Sequence, residues 1–316
     1  MNPPPPRELL AVAGLLLASL LWGSSFVALK IAFAVYDSQM VIFGRLFIAS
    51  LCFLMVWRWL KTRVRREDIK YLLLMALAEP CLYFLFESAA LTHTSASQAG
   101  MLVATLPVLV AFAAGVFFKE RLTPRVLTGL GLAVAGALWL SLAAEADSHA
   151  PHPRLGNFYQ FLAMVCATVY TLLAKKLSRG YNPWFLTALQ AFVGSVFFLP
   201  FLARPGAWPA SFEPLAVGAV LYLGVLVTLG AYGLYNFALS RMPASRVAIF
   251  VNLIPVFAVL LGFLVLGESF TPGQFAAALV VLTGVGLSQF EGRSRPGLNP
   301  STLHSRMHKL GIRKPQ

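Results

Sequence analysis

The chain has 316 residues, of which 58% are hydrophobic and only 12% charged, against about a quarter charged in soluble domains. That balance excludes a soluble globular body and leaves an integral membrane protein. The formal net charge of +13 does not signal a nucleic-acid partner, because most Lys and Arg fall in short segments between apolar runs or in the C-terminal tail, where membrane topology accounts for them.

Runs of about 20 apolar residues, enough to cross about 30 Å of hydrocarbon, occur ten times, at 9–29, 39–60, 71–91, 96–118, 126–142, 157–173, 183–202, 216–239, 245–266 and 274–290. The first outlasts a signal-peptide core and ends without a small-residue cleavage pattern, so it is expected to stay as a spanning helix. Cys52, Cys81 and Cys166 lie inside apolar runs without CxxC spacing and read as small core hydrophobes. Trp57, Trp59, Trp184 and Trp208 stand near helix ends, where amphipathic rings favour the membrane interface. A polar segment with Glu145, Asp147, His149 and His152 separates the fifth run from the sixth. The expected organisation is a tail at 1–8, a five-helix unit at 9–143, an outer connecting loop at 144–156, a second five-helix unit at 157–290 and a basic tail at 291–316.

One motif is written twice, 148 residues apart. Pro107-Val108 through Lys119-Glu120-Arg121-Leu122-Thr123-Pro124 returns as Pro255-Val256 through Gly267-Glu268-Ser269-Phe270-Thr271-Pro272. A gapless alignment of 93–142 on 241–290 gives about nine identities in fifty with the same order of hydropathy, as an internal duplication does. Lys119, Arg121 and Arg125 of the first copy are replaced by Gly267, Ser269 and Gly273 in the second, and basic residues in short loops stay cytoplasmic. A cytoplasmic N-terminus leaves only Lys30, Arg154 and Arg204 outside and Arg45 within the membrane, out of 25 Lys and Arg. Both termini are therefore expected in the cytoplasm, with the protein in the plasma or inner membrane. Five crossings per half turn the second copy over. The expected fold class is an all-α integral membrane protein with ten transmembrane helices in two inverted five-helix repeats, the layout of carriers whose site lies near the midplane between halves.

Trp22-Gly23-Ser24-Ser25-Phe26, Arg45, Ala89-Ala90-Leu91 followed by Thr94-Ser95-Ala96-Ser97, Pro107 and the Glu120-Arg121-Leu122-Thr123 end together resemble the EamA-type proteins of the drug/metabolite transporter superfamily, over 9–290. The resemblance implies export or exchange of small metabolites, amino acids among them, and a central cavity lined by the first, third, fourth, sixth, eighth and ninth helices. It does not fix a substrate. Glu79 and Glu87, two carboxylates in one spanning helix, are not part of the pattern.

An ionisable side chain within the bilayer costs about 2.5 to 3.5 kcal/mol on insertion scales and needs a reason. Arg45, Glu79 and Glu87 are three such groups. Arg45 and Glu87 fall at matching depth, about 6 to 9 Å from the outer ends of their helices, and are placed to pair; in an ideal helix Glu79 lies about 12 Å from Glu87 and about 80° round, facing the same cavity. A structural Arg45–Glu87 pair and a transport role for either glutamate, on a substrate ammonium or a coupling proton, are both open readings. Trp22, Ser25, Tyr83, Gln98, Tyr170, Tyr232, Asn236 and Asn252 form a second set on the presumed cavity helices, against the plain alternative of helix-to-helix hydrogen bonding. The fifth and tenth helices carry little but small and aliphatic residues and read as supports, with Gly131, Gly136, Gly284 and Gly286 allowing close approach within the monomer or in a dimer. Pro107 and Pro255 occupy equivalent positions and are candidate hinges. Glu120 and Glu268 sit near water at helix ends and are expected to cap the helices that follow.

No His, Cys or carboxylate grouping marks a metal or cofactor, and no HExxH, GxSxG or phosphate-cradling loop marks an enzyme. The partners expected are a small-molecule substrate and membrane lipid, with proton coupling and the choice between monomer and homodimer left open. A channel, or a sensory or scaffolding membrane protein, is the alternative. The first lacks a filter motif and the second an attached soluble domain.

Overall fold

A computed structural model describes residues 6–60, 62–118, 124–242, 247 and 250–289. Lys119, Glu120, Arg121 and the basic tail lie outside the described residues. Among the described residues every regular element is a helix. Seven helices are long and apolar enough to cross a membrane, and three shorter apolar helices accompany them. In chain order they are α1 (Pro6–Phe33), α2 (Ser38–Met55), α3 (Arg66–Leu91), α4 (Ala96–Phe117), α5 (Pro124–Leu142), α6 (Pro153–Leu177), α7 (Pro183–Ala203), α8 (Pro214–Arg241), α9 (Leu253–Leu266) and α10 (Pro272–Gln289). This is a multi-pass membrane protein.

Several helices outrun their apolar stretches because their ends are capped. Asp37 accepts from the amides of Gln39 and Met40 at the start of α2, and Asn182 accepts from Trp184 at the start of α7. Pro153, Pro183, Pro214 and Pro272 open helices at a position that needs no amide hydrogen. Lys30 Nζ donates to the carbonyls of Leu91 and Thr94, both at 3.0 Å, and of His149 at 2.6 Å, closing the C-terminal end of α3. Lys175 Nζ does the same for α8, donating to Leu239 and Met242 at 2.7 Å each. Lysine at a helix C-terminus satisfies orphan carbonyls and suits the negative end of the dipole.

Three helices are interrupted. At Glu79 the α3 backbone turns extended, with φ −149° and ψ 119°, before Pro80, and the residues around it, Leu77–Leu82, form a widened π-type turn. A second widened segment, Leu223–Ala231, lies in α8. In α4 a tight 3₁₀ turn, Val103–Thr105, precedes Pro107, and a turn at Asn252 precedes Pro255. Each proline thus sits in the first turn after a break, where its missing N–H is harmless.

The packing is tight where side chains are small. α5 lies along α10, with Gly136 facing the backbone of Ala277 and Val281 and Gly284 facing that of Gly129 and Ala133. A Cβ added at Gly136 would meet Val281 N at 2.7 Å, so these two glycines join helices of one molecule. α1 packs on α8 and α9, α6 on α3 and α4, and α2 on α7.

Candidate functional site

The break in α3 is held open by its neighbours. Gln190 of α7 donates through Nε2 to the Glu79 carbonyl at 3.0 Å, a partner of the kind an interrupted helix needs where water is absent. Gln190 is fixed in turn by Asn236 of α8, whose Nδ2 donates to Gln190 Oε1 at 3.3 Å and to Thr187 Oγ1 at 2.9 Å, while its Oδ1 accepts from the Tyr170 hydroxyl of α6 at 3.0 Å. This chain of bonds ties α6, α7 and α8 to the break.

The break aims Glu79 into a central cavity. Trp22, Ser25 and Phe26 of α1, Arg45 of α2, Glu79, Tyr83, Phe84 and Glu87 of α3, and Val103 and Leu106 of α4 line it. Met164, Ala167, Tyr170 and Thr171 of α6, Tyr232 and Tyr235 of α8, Val251 just before α9 and Ile254 of α9 complete the lining. About 50 Å³ is open to the centre of a water molecule, room for a few waters at about 10–15 Å³ each. At the end of the bundle bearing the 144–152 loop lies a much wider vestibule of about 970 Å³, whose lining includes Lys30, Thr92, His149 and Glu213.

The three buried charges are partnered unequally. Arg45 Nη1 lies 3.9 Å from Glu87 Oε2, with both side chains almost fully buried. Arg45 also donates through Nε to Thr228 Oγ1 at 2.9 Å and rests on the Phe84 ring, 4.3 Å from its centroid. Glu87 accepts from the Tyr83 hydroxyl at 2.7 Å. Glu79 is 4% exposed and accepts from the Tyr232 hydroxyl at 2.5 Å. Its geometry departs from the ideal-helix spacing of the sequence reading because residue 79 is itself extended, yet Glu79 and Glu87 line the same cavity.

Eight of the eleven candidate residues come together here: Trp22, Ser25, Arg45, Glu79, Tyr83, Glu87, Tyr170 and Tyr232. Gln98, Asn236 and Asn252 do not line the cavity. Gln98 accepts from Asn157 Nδ2 at 2.9 Å, joining α4 to α6, Asn236 positions Gln190, and Asn252 sits at the break before α9. Glu268 requires a correction. It caps a helix, but not the one that follows it: Oε1 and Oε2 accept from the amides of Ala96 and Ser97 at 2.8 Å each, closing the start of α4 from 172 and 171 residues away. The helix after Glu268 starts with its own reciprocal box, Gln274 N donating to Thr271 Oγ1 at 3.3 Å and Thr271 N to Gln274 Oε1 at 2.7 Å. The corresponding reading for Glu120 falls outside the described residues.

Sequence reasoning missed Phe84, Thr171 and Tyr235 as lining residues and Thr228 as a partner of Arg45. Tyr235 follows Tyr232 by three positions on one helix face, and Thr171 follows Tyr170. Those spacings were the available signal.

A multi-pass membrane protein with a cavity of charged and aromatic groups between its helices is built for moving small molecules. The chain belongs to the EamA-like transporter family, whose model matches twice, over residues 9–142 and 154–289. It is 30% identical over 280 residues to an uncharacterized transporter of Archaeoglobus fulgidus, covering 87% of this chain and 95% of that protein. It is 28% identical to the uncharacterized transporter YcxC of Bacillus subtilis, covering 90% and 95%. Identity is 26% with a probable terminal-alkyne amino-acid exporter of Streptantibioticus cattleyicolor, covering 92% and 97%. One solved crystal structure shares the fold with a TM-score of 0.61 at 18% identity, covering 89% of this chain and 96% of that one. The protein is a transporter, not an enzyme.

Proposed function

We propose that the protein is a secondary transporter, an exporter or exchanger of small metabolites, that works by alternating access between two inverted five-helix repeats, 9–143 and 157–290. The observation that carries this reading is the meeting of Arg45, Glu79 and Glu87 in one buried cavity at the interrupted α3. Charges are expensive in a membrane and are kept chiefly where they serve a path or a site, and broken helices at membrane depth occur where they line one.

Three sets of matched features support the inverted repeat. The Lys30 acceptors, Leu91 and Thr94, are each 148 residues before the Lys175 acceptors, Leu239 and Met242. That is also the separation of Pro107 and Pro255. The widened turns fall in α3 and α8, five helices apart. Contacts come in mates: α1 on α8 and α9 answers α6 on α3 and α4, while α2 meets α7 and α5 meets α10. The breaks before Pro107 and Pro255 are the natural hinges, and the loop charges support cytoplasmic termini in the plasma or inner membrane.

The amino-acid exporter among the relatives supports amine-bearing cargo, and Glu79 is the group proposed to take the ammonium or a coupling proton. Proteoliposomes loaded with a metabolite panel are expected to show saturable counterflow of at least one compound, stimulated by an imposed pH gradient. Glu79→Gln should remove the pH response. Unsaturable flux points to a channel, and a Glu79→Gln protein with an unchanged pH response removes Glu79 from coupling.

A further inference from the structure

The side chain of Gln160 in α6 is fully buried, and among the described residues neither its Nε2 nor its Oε1 has a hydrogen-bond partner. An amide that leaves water and finds no partner costs free energy, and protein interiors keep few such groups. We infer that Gln160 belongs to the path between the central cavity and the vestibule at the 144–152 loop, and that its amide hydrogen-bonds cargo when that path opens. Both statements rest on the proposed alternating access through the cavity, to which they add a route and a binding residue.

Position places Gln160 between the two spaces. Asn157, Gln160, Met164, Ala167 and Thr171 succeed one another at steps of three and four, so they form one stripe along α6, and all five are buried. The last three line the central cavity. At the other end Asn157 Oδ1 accepts from the Thr94 hydroxyl at 2.9 Å, and the Thr94 carbonyl accepts from Nζ of Lys30, a vestibule residue, at 3.0 Å. At 1.5 Å per residue, Gln160 stands about 6 Å along the helix from Met164 and about 4.5 Å from Asn157. It lines neither the cavity nor the vestibule; it lies in the layer that separates them.

That layer is closed by contacts that can part and re-form. Asn157 Nδ2 donates to Gln98 Oε1 of α4 at 2.9 Å. Gly156 brings the α6 backbone against the junction of α3 and α4, where an added Cβ would meet Thr94 N at 2.7 Å. Separation of α4 from α6 therefore breaks hydrogen bonds that water replaces and withdraws no bulky side chain at Gly156. Gln160 is the next polar group inward along the stripe, and it gains partners in that step instead of losing them.

The other polar groups of the stripe show the contrast. Asn157 is bonded to Thr94 and Gln98, and the Thr171 hydroxyl is joined to that of Tyr235 at 3.1 Å. A glutamine kept only to join helices is bonded, as Gln98 and Gln190 are. The Gln160 amide contributes nothing to the closed arrangement, so its use belongs to an open one.

Two variants test this, Gln160→Met, nearly isosteric but apolar, and Gln160→Cys in a chain whose three native cysteines are replaced. With no hydrogen bond to lose, Gln160→Met should unfold in detergent at the temperature of the unmodified protein or above it. Its counterflow of the metabolite-panel compound that the unmodified protein exchanges, measured below saturation, should fall at least about fivefold, the effect of one neutral hydrogen bond. In liposomes Gln160→Cys should react with the impermeant reagent methanethiosulfonate ethyltrimethylammonium from the face on which Ser148→Cys, in the vestibule lining, reacts. Ala49→Cys, as deeply buried but clustered with Ala188 and Ala191 of α7, should stay unreactive. Earlier unfolding of Gln160→Met, which would give the amide a structural partner, overturns the inference, as do unchanged counterflow or an unreactive Gln160→Cys. The transporter reading fails in a different way: no saturable counterflow by the unmodified protein, with Gln160→Cys still reactive.

Discussion

Arg45 and Glu87 illustrate why a buried ion pair is weak evidence of stability but strong evidence of constraint. The pair's net contribution to folding is small, since desolvation offsets the attraction, whereas removal of one partner strands the other and costs about 3–5 kcal/mol. Arg45→Met should therefore lower the unfolding temperature in detergent sharply, by stranding Glu87 with only the Tyr83 hydroxyl for company. The double variant Arg45→Met/Glu87→Met should recover much of that loss. A double variant no more stable than Arg45→Met would mean that Arg45 acts through Thr228 and Phe84 instead of through its charge partner. The pairing was legible in the sequence because depth along an uninterrupted helix is simple arithmetic. The surroundings of Glu79 were not: a proline in an apolar run predicts a kink, but nothing local predicts that residue 79 itself turns extended and passes its carbonyl to Gln190 on another helix.

At the scale of elements, Glu268 shows how far a local rule carries. A glutamate before a Thr-Pro helix start reads as a cap for that helix, yet Thr271 and Gln274 already provide the box and leave Glu268 free to close α4. It is 4% exposed and bonded to two amides. Glu268→Ala leaves both amides buried without a partner, at about 1–3 kcal/mol for each orphaned group, and should lower the unfolding temperature more than Thr271→Ala, which removes an ordinary cap. Equal small effects would show that water replaces the carboxylate. The all-helical class and the order of the apolar helices were readable because hydropathy needs only neighbours in sequence. The partner of a cap 172 residues away was not, because the bond depends on how α4 and α9 pack, with Gly262 admitting both Ser97 and the Glu268 carboxylate. Trp184 makes the same point. It reads from sequence as an interface anchor, and the structure adds what the sequence could not, that its half-buried ring lies across Gly233 of α8.

For the whole molecule, the proposed duplication and inversion make a prediction that no single contact makes: Lys30 and Lys175 should do the same work at opposite faces of the membrane. Each closes the C-terminal end of a helix with its ammonium, and their acceptors are separated by the repeat distance. Lys30 is bonded to His149, just before α6, and Lys175 lies in the last turn of α6, so a single crossing by α6 separates the loop at 144–152 from the turn at 178–182. Ser148 is beside Lys30's third acceptor, His149, and Ser178 is one helical turn beyond Lys175. Ser148→Cys and Ser178→Cys, each in a chain whose three native cysteines are replaced by serine or alanine, should react with a membrane-impermeant maleimide from opposite sides. In intact cells Ser148→Cys should label from outside, and Ser178→Cys only after the membrane is opened. Labelling of both from one side would mean that α6 does not cross, and would remove the opposed ends of α1 and α6 on which the proposed inversion rests and, with it, the reading of the paired breaks before Pro107 and Pro255 as hinges, since two hinges related by inversion exchange inner for outer access whereas two facing the same way cannot. The basic residues decide which outcome to expect. Lys175, Lys176 and Arg179 surround the 178 site while the 148 site has acidic and neutral neighbours in Glu145, Asp147 and His149, and the loop-charge rule puts the first inside and the second out.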